Sequence, residues 1–284
     1  MNNLTNYHSH CTFCDGHAPI EDFVKAAIAQ GFTSYGISSH APLPFETRWT
    51  MNRCDMPAYL AEIQRLKHKY SAEIELYAGL EIDYLDEQSN PSISYFKELP
   101  LDYRIGSVHL LHTPEGELVD IDVHKEKYKE ILFSRFHNDL RATVVLYYDK
   151  LMRMIEKGGF DIVGHADKMS YNATYCQSDL LEQPWYNHKL HEYFTLIAEH
   201  KLMVEVNTKA HKEMNVFFPH SRYFSLLKSL NIPVLVNSDS HYPELINSGR
   251  EQAFAELQSA GIRSVMELHK GCWQEVPISN SALN

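Results

Sequence analysis

The sequence predicts a single α/β domain, spanning residues 1–284, whose parallel strands close into a barrel. Short apolar, strand-like runs alternate with helical patterns about seven times along the chain, and such alternation is typical of a parallel sheet. Side chains of metal-ligand type also stand at or just beyond the C-terminal ends of most predicted strands. In an open sheet these ends would spread along an edge, since strands lie about 4.8 Å apart. A closed barrel brings them onto one face.

The predicted strands are short and apolar, as expected for strands buried on both faces. Their ranges are residues 4–10, 32–38, 74–82, 103–108, 160–163, 202–206 and 232–236, with one more short strand near Val265. Residues 111–123 show no clear periodicity, so we expect an irregular region there.

Apolar residues between the strands recur at helical spacing. Gly31 is expected to end the first helix, and Pro57 suits the start of the second. The helices are expected at residues 20–28, from 57 onward, in a long stretch up to about 158, and at 185–200, 221–230 and 248–260.

The composition argues against several classes of function. The net charge of −11 leaves no basic excess to meet phosphates of nucleic acid or an anionic membrane surface. Residues 1–6 carry no charge and no long apolar run, and no stretch approaches the roughly 18 apolar residues of a membrane span. The five cysteines are scattered and odd in number, which favours reduced thiols. We therefore expect a cytoplasmic protein.

The sequence His8-Ser9-His10 ends the first predicted strand. Residues i and i+2 of a strand point to the same face, so the two imidazoles can approach one metal ion. Later strand ends supply further donors, namely His40, Glu81, His109, His165 and Asp239. Nitrogen and oxygen donors without thiolates suit zinc, manganese or iron. A catalytic zinc uses about three protein ligands, so this set predicts two or three ions, with Glu81 placed to bridge them.

Taken in order, these segments resemble the polymerase and histidinol phosphatase (PHP) phosphoesterases. The matching segments are HSH at 8–10, CDG at 14–16, SSH ending at His40, GLEID around Glu81, SVH ending at His109, GHAD around His165 and SDSH at 238–241. They cover nearly the full chain in the family's order. The phrases HAPLP, GLEIDY and GSVHLL are most similar to the monofunctional histidinol-phosphate phosphatases.

The resemblance implies a distorted (β/α)7 TIM-like barrel with a trinuclear metal centre at the C-terminal ends of its strands. The implied ligands are His8, His10, Asp15, His40, Glu81, His109, His165, Asp239 and His241, and Glu81 and Asp239 are the carboxylates expected to act in catalysis. The position of Asp15 is open, because many such phosphatases carry a histidine nearby and His17 is also available. We favour Asp15, since Cys-Asp-Gly is common across the wider family.

The implied activity is hydrolysis of L-histidinol phosphate to L-histidinol and phosphate, a step of histidine biosynthesis. Hydroxide formed from water between two metal ions would attack phosphorus in line with the leaving alkoxide. A small phosphomonoester also needs cations and hydrogen-bond donors beyond the metals. The candidates for substrate binding are Lys209, Lys168, Arg222 and Asn207.

Three alternatives remain at this point. The same class of enzyme can act on another small phosphoester, such as a nucleotide, a sugar phosphate or phosphotyrosine. A non-enzymatic metal-binding module is less favoured, because the ligand set is complete. Hydrolysis of C–N bonds is least favoured, because amidohydrolase barrels that open with His-x-His commonly use a lysine bridge where this chain has Glu81.

Overall fold

Seven parallel strands form the central sheet of the chain, which a computed structural model describes over residues 3–279. Met1, Asn2 and residues 280–284, which the predicted domain includes, lie outside the described residues. The strands are β1 (Thr5–Asn6), β2 (Ser34–Ile37), β3 (Glu75–Asp83), β4 (Tyr103–Ser107), β5 (Leu110–His112), β6 (Leu118–Asp120), β7 (Ile162–Val163), β8 (Met203–Asn207), β9 (Val234–Asn237), β10 (Ser264–His269) and β11 (Cys272–Pro277).

The helices follow the strands around the outside of the sheet. They are α1 (Ile20–Ala29), α2 (Met56–Lys69), α3 (Ser94–Glu98), α4 (Lys125–Arg135), α5 (Leu140–Lys157), α6 (Met169–Cys176), α7 (Pro184–Glu199), α8 (His211–Met214), α9 (Phe224–Ser229) and α10 (Arg250–Ser259). No helix within residues 3–279 combines the length and the apolar character that crossing a membrane requires.

The sheet runs β1-β2-β3-β4-β7-β8-β9, and its two edge strands meet to complete a nearly closed barrel. Two asparagine side chains join those edges. The backbone N–H of Tyr7 donates to Asn237 Oδ1 at 2.8 Å, and the backbone N–H of Ser238 donates to Asn6 Oδ1 at 2.7 Å. Such bonds satisfy backbone donors that a continuous ladder would otherwise use. The predicted α/β barrel is therefore confirmed.

Alternate residues of each strand point into the barrel or out against the helices, as the two-residue period of a strand requires. Tyr77 and Met203 belong to an apolar cluster inside the barrel, which Leu268 of β10 also enters. Leu76 and Val204, one residue along, pack outward against helices. The β10–β11 hairpin thus covers one end of the barrel, and the inward positions further along the strands are polar.

The structure differs from the sequence-based expectation in several places. The β5–β6 hairpin, over residues 110–120, occupies most of the region that was expected to be irregular. The long helical stretch is two helices, because His137 and Asn138 adopt positive φ angles and Asp139 caps α5 by accepting from the backbone of Ala142. The short helices α3, α6 and α8 were not expected, and the strand near Val265 belongs to an antiparallel hairpin.

Glycines in two neighbouring strands make room for the buried ring of Tyr103. A Cβ atom at Gly79 would lie 2.3 Å from Tyr103 Cζ, and one at Gly36 would lie 2.2 Å from the hydroxyl oxygen. That hydroxyl donates to the carbonyl oxygen of Tyr7 at 2.6 Å, which ties β4 to the segment that carries His8.

We expect Gly79→Ala to lower the free energy of unfolding by about 1–3 kcal/mol, since the added methyl overlaps the Tyr103 ring. Denaturant titration measures the effect. The Tyr103→Leu variant removes the ring, so the same glycine substitution in that background should cost less. If the two changes in the free energy of unfolding were strictly additive, contact with the Tyr103 ring would not be the reason that residue 79 must be glycine.

Candidate metal centre

Ten ligand-type side chains converge at the end of the barrel where the parallel strands finish. They fall into four groups whose candidate donor atoms lie within 4.8 Å of one another. The groups are His10, Asp15, His40 and His241; His8, His10 and Asp239; His40, Asp83 and His109; and Glu81, His109 and His165. The structure therefore brings together all the ligands that the sequence analysis predicts, and it adds Asp83. That they bind metal stays a prediction.

Glu81 lies at the centre of this cluster and is 1% exposed. One of its carboxylate oxygens lies 2.8 Å from His165 Nε2 and 3.4 Å from His109 Nε2. The other lies 2.9 Å from His40 Nδ1 and 3.2 Å from His8 Nε2. Burial alone would raise the pKa of Glu81, but the surrounding imidazoles hold that pKa well below its usual range. An ionised Glu81 therefore stands between both halves of the cluster, where a bridging ligand is needed.

Asp239 closes the other side of the cluster. Its Oδ1 atom lies 3.0 Å from His10 Nε2 and 3.7 Å from His241 Nδ1. Both Asp239 and His165 adopt positive φ angles, of 48° and 26°, which non-glycine residues rarely do. Strained backbone of this kind gathers at functional sites, because the surrounding structure must impose it.

The structure separates the two candidates near residue 15. Asp15 Oδ1 lies 3.3 Å from His241 Nε2 and 3.8 Å from His10 Nδ1, whereas the His17 ring stacks on Tyr242 at a centroid distance of 4.2 Å. His17 is in none of the four donor groups. The geometry therefore favours Asp15, as the sequence analysis did.

Glu205 is a buried carboxylate that the sequence analysis missed. It accepts a hydrogen bond from the ring of His8 at 2.8 Å and from the backbone N–H of His165 at 2.7 Å. The side-chain amides of Asn207 and Asn237 also donate to it, at 2.9 and 3.0 Å. By holding His8 Nδ1, Glu205 directs Nε2 of that ring toward Glu81. The available signal was an acid at an inward position of an otherwise apolar strand.

Asp83 and Ser107 support the cluster from the neighbouring strands. Both carboxylate oxygens of Asp83 lie 3.0 Å from His109 Nδ1, and the Ser107 hydroxyl donates to Glu81 at 2.7 Å. Burial opposes the charged form of His109, but Asp83 and Glu81 raise its pKa to about 9. Partners of this kind fix the orientation of a metal-binding imidazole and increase its basicity.

The unpaired hydrogen-bonding atoms of the donor set fit divalent metal ions. Among the described residues, several buried donor atoms of the cluster have no hydrogen-bond partner: His8 Nε2, His10 Nε2, Asp15 Oδ1, His40 Nδ1 and Glu81 Oε2. Leaving a buried polar atom unpaired costs about 1–3 kcal/mol. Divalent cations would satisfy these atoms together, and imidazole with carboxylate suits zinc, manganese or iron.

A cavity of about 580 Å³ opens beside the cluster, and Asp15, Asp239 and His241 form part of its wall. Lys168 and Lys209 also line it. Lys209 Nζ lies 3.3 Å from Asp239 Oδ1, and Lys168 donates to Asp122. Two of the predicted substrate-binding cations thus face the space next to the donors.

The other two predicted substrate-binding residues are placed differently. Arg222 is not among the residues that line the cavity, and its guanidinium donates to Glu182 at 2.9 Å. Asn207 is fully buried, and its amide nitrogen donates to both Glu205 and Asp239. With its amide hydrogens in use, Asn207 organises the carboxylates of the cluster instead of offering a donor to substrate.

Comparisons with known proteins agree with this architecture. The model of the PHP domain matches residues 6–209. A probable histidinol-phosphatase of Deinococcus radiodurans is 26% identical over 95% of this chain and 98% of its own, and one of Schizosaccharomyces pombe is 23% identical over 93% and 89%. The fold is similar to that of histidinol phosphate phosphatase from Lactococcus lactis, solved with zinc, L-histidinol and phosphate (TM-score 0.70, 19% identity, 96% of this chain and all of that one).

Substitution of Asp15 and of His17 should show which of the two residues is a metal ligand. We expect Asp15→Asn to lower the metal content of protein purified without chelator, because the neutral amide is a weaker donor. His17→Ala should leave the content unchanged, since its ring lies against Tyr242. Elemental analysis measures both variants, and metal loss in the His17 variant alone would reverse the assignment.

Removing the charge of Glu205 should weaken metal binding without removing a ligand. We expect Glu205→Gln to lower metal affinity about 10–100-fold, measured by competition with a chromophoric chelator. Glu267→Gln is the matched control, since Glu267 is equally buried but accepts from Asn3, away from the donor groups. Equal affinities in the wild type and the Glu205 variant would contradict an orienting role.

Proposed function

The chain belongs to the PHP family, and we propose that it hydrolyses L-histidinol phosphate to L-histidinol and inorganic phosphate. The observation that carries this proposal is the cavity, because its wall joins donors of the metal cluster to two lysines. A phosphate group placed there would lie beside the lysine ammonium groups and beside the donors that would hold metal ions. The named activity of relatives matched over nearly their full length supports the choice of substrate.

The proposed metal ligands are the nine residues in the predicted set, namely His8, His10, Asp15, His40, Glu81, His109, His165, Asp239 and His241. Two or three divalent ions bound there would activate water as a nucleophile at neutral pH and neutralise charge on the phosphoryl group. Glu81 and Asp239 serve this chemistry as ionised carboxylates, since neighbouring positive groups hold the pKa of each well below its usual range.

The protein's own cations receive the phosphate. Lys209 extends from the end of β8 with 42% of its side chain exposed, so its ammonium group can turn from Asp239 toward a ligand. Lys168 is 17% exposed, follows His165 in the chain and lines the same cavity. Positioned positive groups of this kind stabilise the charge that develops on the phosphoryl oxygens in the transition state.

We also propose a small-molecule substrate, with no nucleic-acid partner, and a cytoplasmic location. The net charge of −11 supports the lack of a nucleic-acid partner, because it disfavours binding to a polyanion.

Steady-state kinetics of the purified protein, loaded with Mn²⁺ or Zn²⁺, tests the activity. We expect kcat/KM for L-histidinol phosphate on the order of 10⁴ M⁻¹s⁻¹ or more. His109→Ala should remove most of this activity, whereas His200→Ala, at an exposed position after α7, should not. Faster turnover of a nucleotide, a sugar phosphate or phosphotyrosine, by a factor of about 100, would overturn the substrate assignment but keep the reaction class.

A further inference from the structure

Asp122 is a carboxylate in the proposed substrate cavity that lies outside every donor group. It follows β6, and backbone bonds fix its segment on both sides. The N–H of Ile121 donates to the carbonyl oxygen of His109 at 2.9 Å, and the side chain of Asn172 donates to the carbonyl oxygen of Val123 at 2.8 Å. The position of Asp122 is thus tied to the end of β4 and to α6.

The carboxylate of Asp122 accepts a hydrogen bond from Lys168, and one third of its side chain is exposed. Burial would raise the pKa of Asp122, but the positive charges of Lys168, His109 and Lys209 hold it well below its usual range. The cavity that receives an anionic phosphate therefore also presents a fixed negative charge.

A negative charge beside a phosphate site is unfavourable unless the ligand brings a cation to meet it. Asp122 also forms an ion pair with Lys168, one of the two lysines proposed to hold the phosphate. In L-histidinol phosphate, an ammonium group sits on the carbon next to the one that bears the ester oxygen. Such a ligand carries a phosphate that can pair with Lys168 and an ammonium group that can pair with Asp122.

Among the carboxylates on the cavity wall, Asp15 and Asp239 belong to the donor cluster, which leaves Asp122 and Glu213. Glu213 is exposed on the one-turn helix α8. Only Asp122 of these two contacts a proposed phosphate-binding lysine, so it alone lies beside the place where phosphate and ammonium group must be adjacent.

Building on the proposed function, we propose that Asp122 binds the ammonium group of the substrate and so selects phosphate esters of amino alcohols over other phosphomonoesters. Lys168 then turns from Asp122 to the phosphate, and the ammonium group replaces it. Both charges of the ion pair are satisfied in the complex as they are in the free protein.

The test deletes the partner on each side. The metal-loaded wild type and Asp122→Asn are assayed with L-histidinol phosphate and with its analogue that lacks the amino group, 3-(imidazol-4-yl)propyl phosphate. We expect the substitution to lower kcat/KM for L-histidinol phosphate about 10–100-fold, as loss of a charge-assisted hydrogen bond does, and to change it less than about 3-fold for the analogue. The ratio of kcat/KM for L-histidinol phosphate to that for the analogue, high in the wild type, would then be close to one in the Asp122→Asn variant.

Equal losses for both substrates would overturn the proposal, because Asp122 would then only position Lys168. Glu213→Gln is the matched control and should leave the preference intact. If it removed the preference in place of Asp122→Asn, the ammonium site would lie at Glu213. Metal content and circular dichroism check that each variant is folded, and Asp122→Ser provides a second variant for the same comparison.

The proposed function can fail separately from this inference. If the wild type does not hydrolyse L-histidinol phosphate, the same comparison is made with O-phosphoethanolamine and ethyl phosphate. A preference for the amine that Asp122→Asn removes would still support the site. Lack of any such preference in the wild type would overturn it.

Discussion

The site depends on one electrostatic constraint: Glu81 must stay ionised although it is almost completely buried. A buried carboxylate without compensation would take up a proton. Here the imidazoles on both of its oxygens supply the compensation, and Ser107 adds a hydrogen bond. Two of the imidazoles beside Glu81, those of His8 and His40, each keep an unpaired nitrogen atom at the common space. The imidazole groups that stabilise ionised Glu81 are thus also the groups that can donate to metal ions.

Support for this constraint comes from layers of carboxylates and amides behind the donors. Asp83 sets the ring of His109, Glu205 sets the ring of His8, and Asn207 and Asn237 saturate Glu205. A carboxylate left without such partners at this depth would be costly. Glu205 and Asn207 of β8 and Asn237 of β9 are therefore as necessary to the site as the donors themselves.

The sequence was sufficient for the barrel and for the convergence of the donors. Both rest on repeated signals, namely the alternation of strands with helices and a ligand-type residue after strand upon strand. Glu205 and Asp122 carry no repeated signal, because each acts through contacts with residues distant in sequence. Contacts with distant residues also determine the roles of Asn207 and Arg222. The amide of Asn207 donates to Glu205 and Asp239, and Arg222 pairs with Glu182. The β5–β6 hairpin was missed because strands this short have little periodicity.

Closure of the barrel through Asn6 and Asn237 has a consequence for folding kinetics. The bond between Tyr7 and Asn237 joins residues 230 positions apart, and it lies directly beside His8. Contacts of such separation form late, because the entropy of closing the loop is lost before the contact is gained. His8 and His10 therefore reach Asp239 only when both edges of the sheet have met. Metal ions held by the proposed ligands would therefore bind the finished barrel and not its precursors, and their binding energy would act against unfolding of the whole chain.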